Sequence, residues 1–81
     1  MEQEKNTSAQ LRAARALIGW SQQALADAAR VSSMTVKRAE GSGNPAASAD
    51  AVAALRAALE NAGVVFLAEN GGGPGVRLKK K

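Results

Sequence analysis

The 81-residue sequence contains no cysteine, no histidine and no tyrosine. Their absence excludes disulfide bonds, an imidazole base, a thiol nucleophile and the usual ligands of a structural zinc ion. Asp27, Asp50 and the five glutamates form no evident catalytic cluster, so we do not expect an enzyme. We also expect no metal and no other cofactor, and no small-molecule ligand is evident from the sequence.

Large apolar side chains are scarce. Only Trp20 and Phe66 are aromatic, and 19 alanines make up much of the 46% hydrophobic fraction. This composition predicts one small, mainly α-helical domain with a thin core. Because such a domain has little stability to spare without a disulfide bond or a metal, we expect support from a partner subunit or from a ligand that binds only the folded state.

Long apolar runs are missing, and so is a net negative charge. No segment approaches the roughly 18 to 20 apolar residues of a membrane span, and the N-terminal residues are polar, which predicts a soluble cytoplasmic protein without a membrane partner. Eleven Lys and Arg residues against seven Asp and Glu give a net charge of +4 and a pI near 10.1. This balance favours a polyanionic partner but does not identify one.

Four helices are predicted where an N-cap residue precedes apolar residues at helical spacing. They follow Thr7, Ser21, either Ser32 or Ser33, and Ser48, and they end near Gly19, Ala29, Gly41 and Gly63. The first start depends on a capping box over residues 7–10, in which a Thr oxygen and a Gln side chain satisfy free amide hydrogens. Residues 1–6 before it are predicted to be a flexible N-terminus.

The C-terminal part changes character, because β-branched and aromatic residues replace alanine. Val64–Leu67 and Val76–Leu78 are predicted as two short strands, and residues 79–81 form a basic tail. The Gly-rich segment 70–75 has neither a following helix nor the Lys-Ser or Lys-Thr pair of a phosphate-binding loop, so it is interpreted as a turn. The terminal lysines can contact a polyanionic partner or remain solvated.

A two-stranded hairpin alone is marginal in water, so its apolar face needs another surface. We expect the strands of two copies to meet across a twofold axis, with Val64, Phe66, Val76 and Leu78 in the dimer interface. The alternative is a hairpin folded back on the helices of its own chain.

The second and third predicted helices are separated only by Arg30 and Val31, which is typical of a helix-turn-helix. The segments QLRAARALIGWSQQALADAARVS and MTVKRAEGSGNP, with the tail GVVFLAENGGGPGVRL, resemble the phage-repressor and Cro-like helix-turn-helix regulators, often called the xenobiotic-response-element family. The resemblance covers residues 10–78. It implies a lambda-repressor-like domain of four to five helices over residues 7–63, followed by the short strand pair over residues 64–78.

The resemblance also implies roles for individual residues. Base contacts from the third helix, over residues 32–40, fall on Ser33, Met34, Lys37 and Arg38. Phosphate contacts fall on Gln22, Gln23, Ser32, Thr35, Ser42 and Asn44. Arg15 and Glu40 occupy the positions of a buried ion pair that holds this helix to the first one. The alternative for the glutamines and for the two cations is an ordinary solvated helix face.

The sequence departs from the family pattern at two positions. Arg30 stands in the turn where glycine is usual, so either the turn differs or Arg30 takes a left-handed backbone conformation at a cost on the order of 1 kcal/mol. Ala39 is smaller than the bulky apolar residue often found there, which suggests that Trp20 or another large side chain fills the space.

The function implied by the resemblance is that of a DNA-binding transcriptional regulator. Its partners are double-stranded DNA and a second copy of the chain, with a repressor or autoregulator bound to an inverted repeat as the expected form. The alternative is a protein-binding module, an antitoxin or antiactivator, that pairs its C-terminal strands with the sheet edge of a partner protein.

Overall fold

A computed structural model describes residues 2–41, 45–68 and 71–79, with side chains from residue 8 onward. The described part of the chain is mainly helical, as the composition predicts, and it ends in one two-stranded antiparallel sheet. The elements are α1 (Glu2–Leu17), α2 (Gln22–Ala29), α3 (Ser33–Ala39), α4 (Ala49–Asn61), β1 (Val64–Leu67) and β2 (Gly75–Leu78).

The predicted start of the first helix is wrong. α1 already begins at Glu2, so the segment expected to be a flexible N-terminus is helical from its second residue. Residues 2–5 are Glu, Gln, Glu and Lys, which are good helix formers, and acidic residues suit the positive end of a helix dipole. Gln10 does not serve as the partner of a cap, because its side-chain amide donates to the carbonyl oxygens of Leu67 and Gly75, both at 3.0 Å.

The other three helices begin where serine N-caps predict. Each serine has extended backbone angles, and its Oγ accepts a hydrogen bond from the amide three residues later. These bonds join Ser21 to Ala24 at 3.0 Å, Ser32 to Thr35 at 3.1 Å and Ser48 to Ala51 at 3.1 Å. For α3 the cap is therefore Ser32 rather than Ser33.

The turn between α2 and α3 contains a left-handed residue. Arg30 has φ 61° and ψ 43°, the conformation that glycine adopts at lower cost. Its amide donates to Asp27 O at 3.3 Å, and the amide of Val31 donates to Ala26 O at 3.0 Å, which closes the end of α2. Arg30 thus takes the strained conformation rather than changing the form of the turn.

The core lies where all four helices and the first strand meet. Its fully buried leucines are Leu11 of α1, Leu25 of α2, and Leu55 and Leu59 of α4. Smaller residues from α1, α2, α3 and β1 complete it, namely Ala14, Ala26, Val36, Ala39 and Val64. Trp20 packs against this cluster from its edge and remains partly exposed.

The hairpin folds back on the helices of its own chain, the arrangement stated above as the alternative to strands that meet across a twofold axis. β1 and β2 pair in the register Val64 with Leu78 and Phe66 with Val76. Val64 is buried, and Phe66 and Val76 pack against the core formed by the helices. Of the four predicted interface residues, Val64 is buried, Phe66 and Val76 are partly buried and Leu78 is 51% exposed, and their contact with a second copy stays a prediction.

No helix in the described part of the chain is both long enough and apolar enough to cross a bilayer.

Candidate nucleic-acid interface

α3 has one face packed into the core and one face turned away from it. Val36 and Ala39 are buried, and Glu40, which follows the last helical turn, is also buried. Since residues three and four apart share a helix face, Met34 and Lys37 project from the outer surface. Met34 is 49% exposed and Lys37 is exposed, so one apolar and one cationic side chain face solvent.

Glu40 anchors the inner side of α3 to α1 through Arg15. The Arg15 Nε donates to Glu40 Oε2 at 2.8 Å, and the Nη2 donates to Oε1 at 3.0 Å, a bidentate arrangement that fixes both distance and angle. The Glu40 side chain is only 3% exposed and that of Arg15 is 22% exposed. The hydrogen bond with Glu40 raises the pKa of Arg15, with burial opposing the shift, so this cation stays charged throughout the physiological range.

Three further groups complete the surroundings of this ion pair. The Gln22 Nε2 donates to Glu40 Oε1 at 3.1 Å, and the Arg15 Nη1 donates to the Trp20 carbonyl at 3.1 Å. The Arg12 Nη1 donates to the backbone carbonyl of Glu40. Arg12 is not among the predicted site residues, although its position three residues before Arg15 on α1 indicates a shared helix face.

The residues predicted to contact phosphate lie in different environments. Gln22 is half-buried and its amide nitrogen is bonded to Glu40, whereas Gln23 is exposed and its amide donates to Asp27 Oδ1 at 2.9 Å. The Ser32 and Thr35 hydroxyls lie 2.9 Å apart at the N-terminus of α3. Ser42 and Asn44 lie outside the described residues, as do Lys80 and Lys81 of the basic tail.

The four predicted base-contacting residues do not all face the same way. Ser33 is half-buried at the first position of α3, while Met34 and Lys37 are exposed. Arg38 is half-buried and lines a groove of about 500 Å³ between α3 and α4. Its Nε is buried and has no hydrogen-bond partner in the described structure, which sequence reasoning did not anticipate.

The charge of the outer α3 surface is positive. α3 contains Lys37 and Arg38 and no acidic residue, and the carboxylate of Glu40 is turned inward and paired with Arg15. The exposed Ser32 hydroxyl can donate to a phosphate oxygen. The Lys37 ammonium can donate to a guanine edge, and the apolar Met34 side chain can contact a thymine methyl group.

The described residues contain no group of three or more acidic side chains placed to hold a metal ion. No protein-family model matches the chain, and searches of curated proteins and of solved structures found no match.

Proposed function

We propose that the chain is a sequence-specific DNA-binding transcriptional regulator in which α2 and α3 form a helix-turn-helix. α3 enters the major groove, and its N-terminal residues approach the base edges. Ser33, Met34 and Lys37 form the base-contacting surface, and Arg38 joins it when its guanidinium leaves the groove beside α4. Gln23, Ser32 and Thr35 hold the phosphate backbone.

The observation that carries this proposal is the contrast between the two faces of α3. Its inner face is fixed by the Arg15–Glu40 ion pair and by buried Val36 and Ala39. Its outer face presents a cation and polar groups without an acidic residue. Such a helix is fixed in position on one side and exposed on the other. This arrangement suits contact with base edges in the major groove, because bases are discriminated only when the hydrogen-bond donors are well placed.

We further propose that the regulator is a homodimer that represses its own promoter from the cytoplasm. One short recognition helix reads only a few base pairs, and two copies related by a twofold axis read an inverted repeat with half-sites about 34 Å apart. Light scattering that gives the mass of a monomer at micromolar concentration, with and without DNA, would remove the dimer from the proposal.

The test is a fluorescence-anisotropy titration with duplexes from the region upstream of the protein's own gene, alongside scrambled duplexes of the same composition. We expect a preferred duplex whose affinity falls steeply with salt, because phosphate contacts release counterions. Lys37→Gln should weaken binding to that duplex by about tenfold or more and bring it closer to the scrambled one.

The matched control is Arg77→Gln, which removes the same charge from an exposed residue of β2. An equal loss in both variants, or equal affinity for all duplexes, would mean that α3 reads no sequence. A flat salt response would contradict DNA binding altogether.

A second candidate function rests on the hairpin. The amide of Lys79 donates to Gly63 O at 2.6 Å, so by alternation the backbone groups of Val64 and Phe66 in β1, and of Val76 and Leu78 in β2, point away from the partner strand. Leu78 is half-exposed beside this outward-pointing backbone. A protein-binding module could add a strand of its partner there, and co-purification of a stoichiometric protein partner with no preference among duplexes would favour this function.

A further inference from the structure

The groove beside Arg38 exists because the residues around it are small. It lies between the end of α3, the segment 45–48 and the first two turns of α4, and Ala39, Ala47, Val52 and Ala53 line its walls. The sequence suggested that a large side chain such as Trp20 compensates for Ala39. Trp20 is not among the residues that line this groove, which stays open at about 500 Å³, within the range of small-molecule sites.

Arg38 enters this groove without a partner. Its Nε is buried and donates to no protein oxygen among the described residues, and its guanidinium takes part in no ion pair there. Buried donors in folded proteins are almost always paired, because leaving one unpaired costs the full desolvation of that group. The groove therefore contains a planar donor that lacks an acceptor.

Arg56 gives the groove a second cation. Its guanidinium carbon lies 4.8 Å from the centroid of the Phe66 ring, and its Nε is 3.4 Å from Glu60 Oε2, so it is held in place at the surface. Glu60 is not among the described residues that line the groove, and neither is any other carboxylate. Because Arg56 already has Glu60 as a counter-ion, the groove's cation without one among the described residues is Arg38, and an anion with an apolar body complements it.

We propose that this groove binds a small organic acid, with its carboxylate on Arg38 and a flat hydrocarbon body against the alanine walls. On binding, the Arg38 side chain turns so that Nε, which is buried in the ligand-free structure, and a terminal nitrogen donate to the two carboxylate oxygens, the geometry in which a guanidinium recognises a carboxylate. Arg56, which is stacked on Phe66 and paired with Glu60, lines the same groove. The site shares Arg38 with the proposed DNA-binding surface, whereas Ser33, Met34 and Lys37 do not line it.

The test uses benzoate as the probe in a two-dimensional ¹H–¹⁵N titration of the full chain without DNA. We expect the Arg38 Nε–H resonance and the amides of Ala39, Ala47 and Ala53 to move together, with a dissociation constant on the order of 1 mM, as suits so few ligand atoms. Benzamide, which has the same shape without the charge, should bind at least about tenfold more weakly, as should inorganic phosphate, which lacks the apolar body.

Two variants and one control decide the assignment. Arg38→Gln should weaken benzoate binding by about tenfold, and Ala53→Leu should abolish it by filling the groove while leaving Arg38 in place. Arg77→Gln, an exposed arginine outside the groove, should leave the titration unchanged. Absence of any shift up to about 20 mM benzoate, or identical shifts with benzamide or in the Arg38→Gln variant, would overturn the proposal.

One consequence rests on the proposed function. Because Arg38 is also a proposed base contact, an acid in the groove would hold its guanidinium away from DNA. Benzoate should then weaken binding of the preferred duplex, whereas benzamide at matched ionic strength should not. A failure of this coupling with the titration intact would separate the groove from DNA binding, and it would leave the site itself in place.

Discussion

On one side of α3, the buried carboxylate of Glu40 accepts hydrogen bonds from Arg15 and Gln22, whereas on the other side the guanidinium of Arg38 has a buried Nε with no acceptor among the described residues. The two regions lie within a few residues of each other on one short helix. The first is a closed set of donors and acceptors, and its charges are matched. The region around Arg38 has hydrogen-bond donors and an open groove, so it can bind a ligand or rearrange at little cost in free energy.

This difference indicates what fixes the position of α3, a helix of seven residues, and which of its sides is available for binding. α3 is too short to be stable by itself, since isolated helices shorter than about 12 to 15 residues are marginal in water. Its position therefore depends on Glu40 and on the two buried apolar residues beside it. The side with Arg38 contributes little to that anchoring, which leaves its chemistry available for binding.

The largest expected effect comes from breaking the ion pair between Arg15 and Glu40. Arg15→Met leaves the Glu40 carboxylate buried without its cation, so we expect the free energy of unfolding to fall by about 3 kcal/mol, the lower end of the range for buried pairs because Arg15 is 22% exposed. Urea denaturation followed by circular dichroism measures this change.

The double variant Arg15→Met with Glu40→Leu is the control for that prediction. It removes both charges, so it should recover most of the stability lost in the single variant. If Arg15→Met unfolds at the same urea concentration as the wild type, Glu40 does not depend on Arg15, and the contrast between the two sides of α3 disappears.

A smaller effect tests whether Gln22 belongs to the hydrogen-bond network of Glu40 or to a DNA-facing surface. Its amide donates to Glu40 Oε1 in a half-buried position, while Gln23 bonds only to the exposed Asp27. Gln22→Leu should therefore cost about 1 to 2 kcal/mol, the value of a hydrogen bond to a charged group whose acceptor keeps other donors. Gln23→Leu is the adjacent control and should change stability by less than about 0.5 kcal/mol. Equal values for the two glutamines would place Gln22 outside the Glu40 network.

The sequence could predict features that depend on local chemistry. Serine caps predicted the starts of α2, α3 and α4, because an N-cap bond joins residues only three apart. The pairing of Arg15 with Glu40 followed from the family resemblance, since the two residues are 25 apart in the chain. The start of α1 was misplaced, because a capping box was given more weight than the helix-forming residues before it.

Features that depend on how the elements approach each other could not be predicted. The bonds from Gln10 to the hairpin join residues that are distant in the sequence, and they help to hold the strands against α1. The groove beside Arg38 depends on the spacing between α3 and α4, which no local pattern encodes. Ala39 was the one signal, and the expected compensation by a large side chain did not occur.

The smallest expected effect concerns Arg38, on the side of α3 opposite Glu40. Arg38→Met removes a guanidinium whose Nε is buried without an acceptor, and it keeps a flexible side chain of similar length along the wall of the groove. Because no hydrogen bond is lost and a desolvation cost is relieved, we expect the free energy of unfolding to stay within about 0.5 kcal/mol of the wild-type value, or to rise slightly. The measurement is the same urea denaturation used for Arg15→Met, so the two substitutions of arginine by methionine are compared directly. A loss of more than about 1 kcal/mol would mean that Arg38 holds a partner in solution, and the two sides of α3 would then be alike.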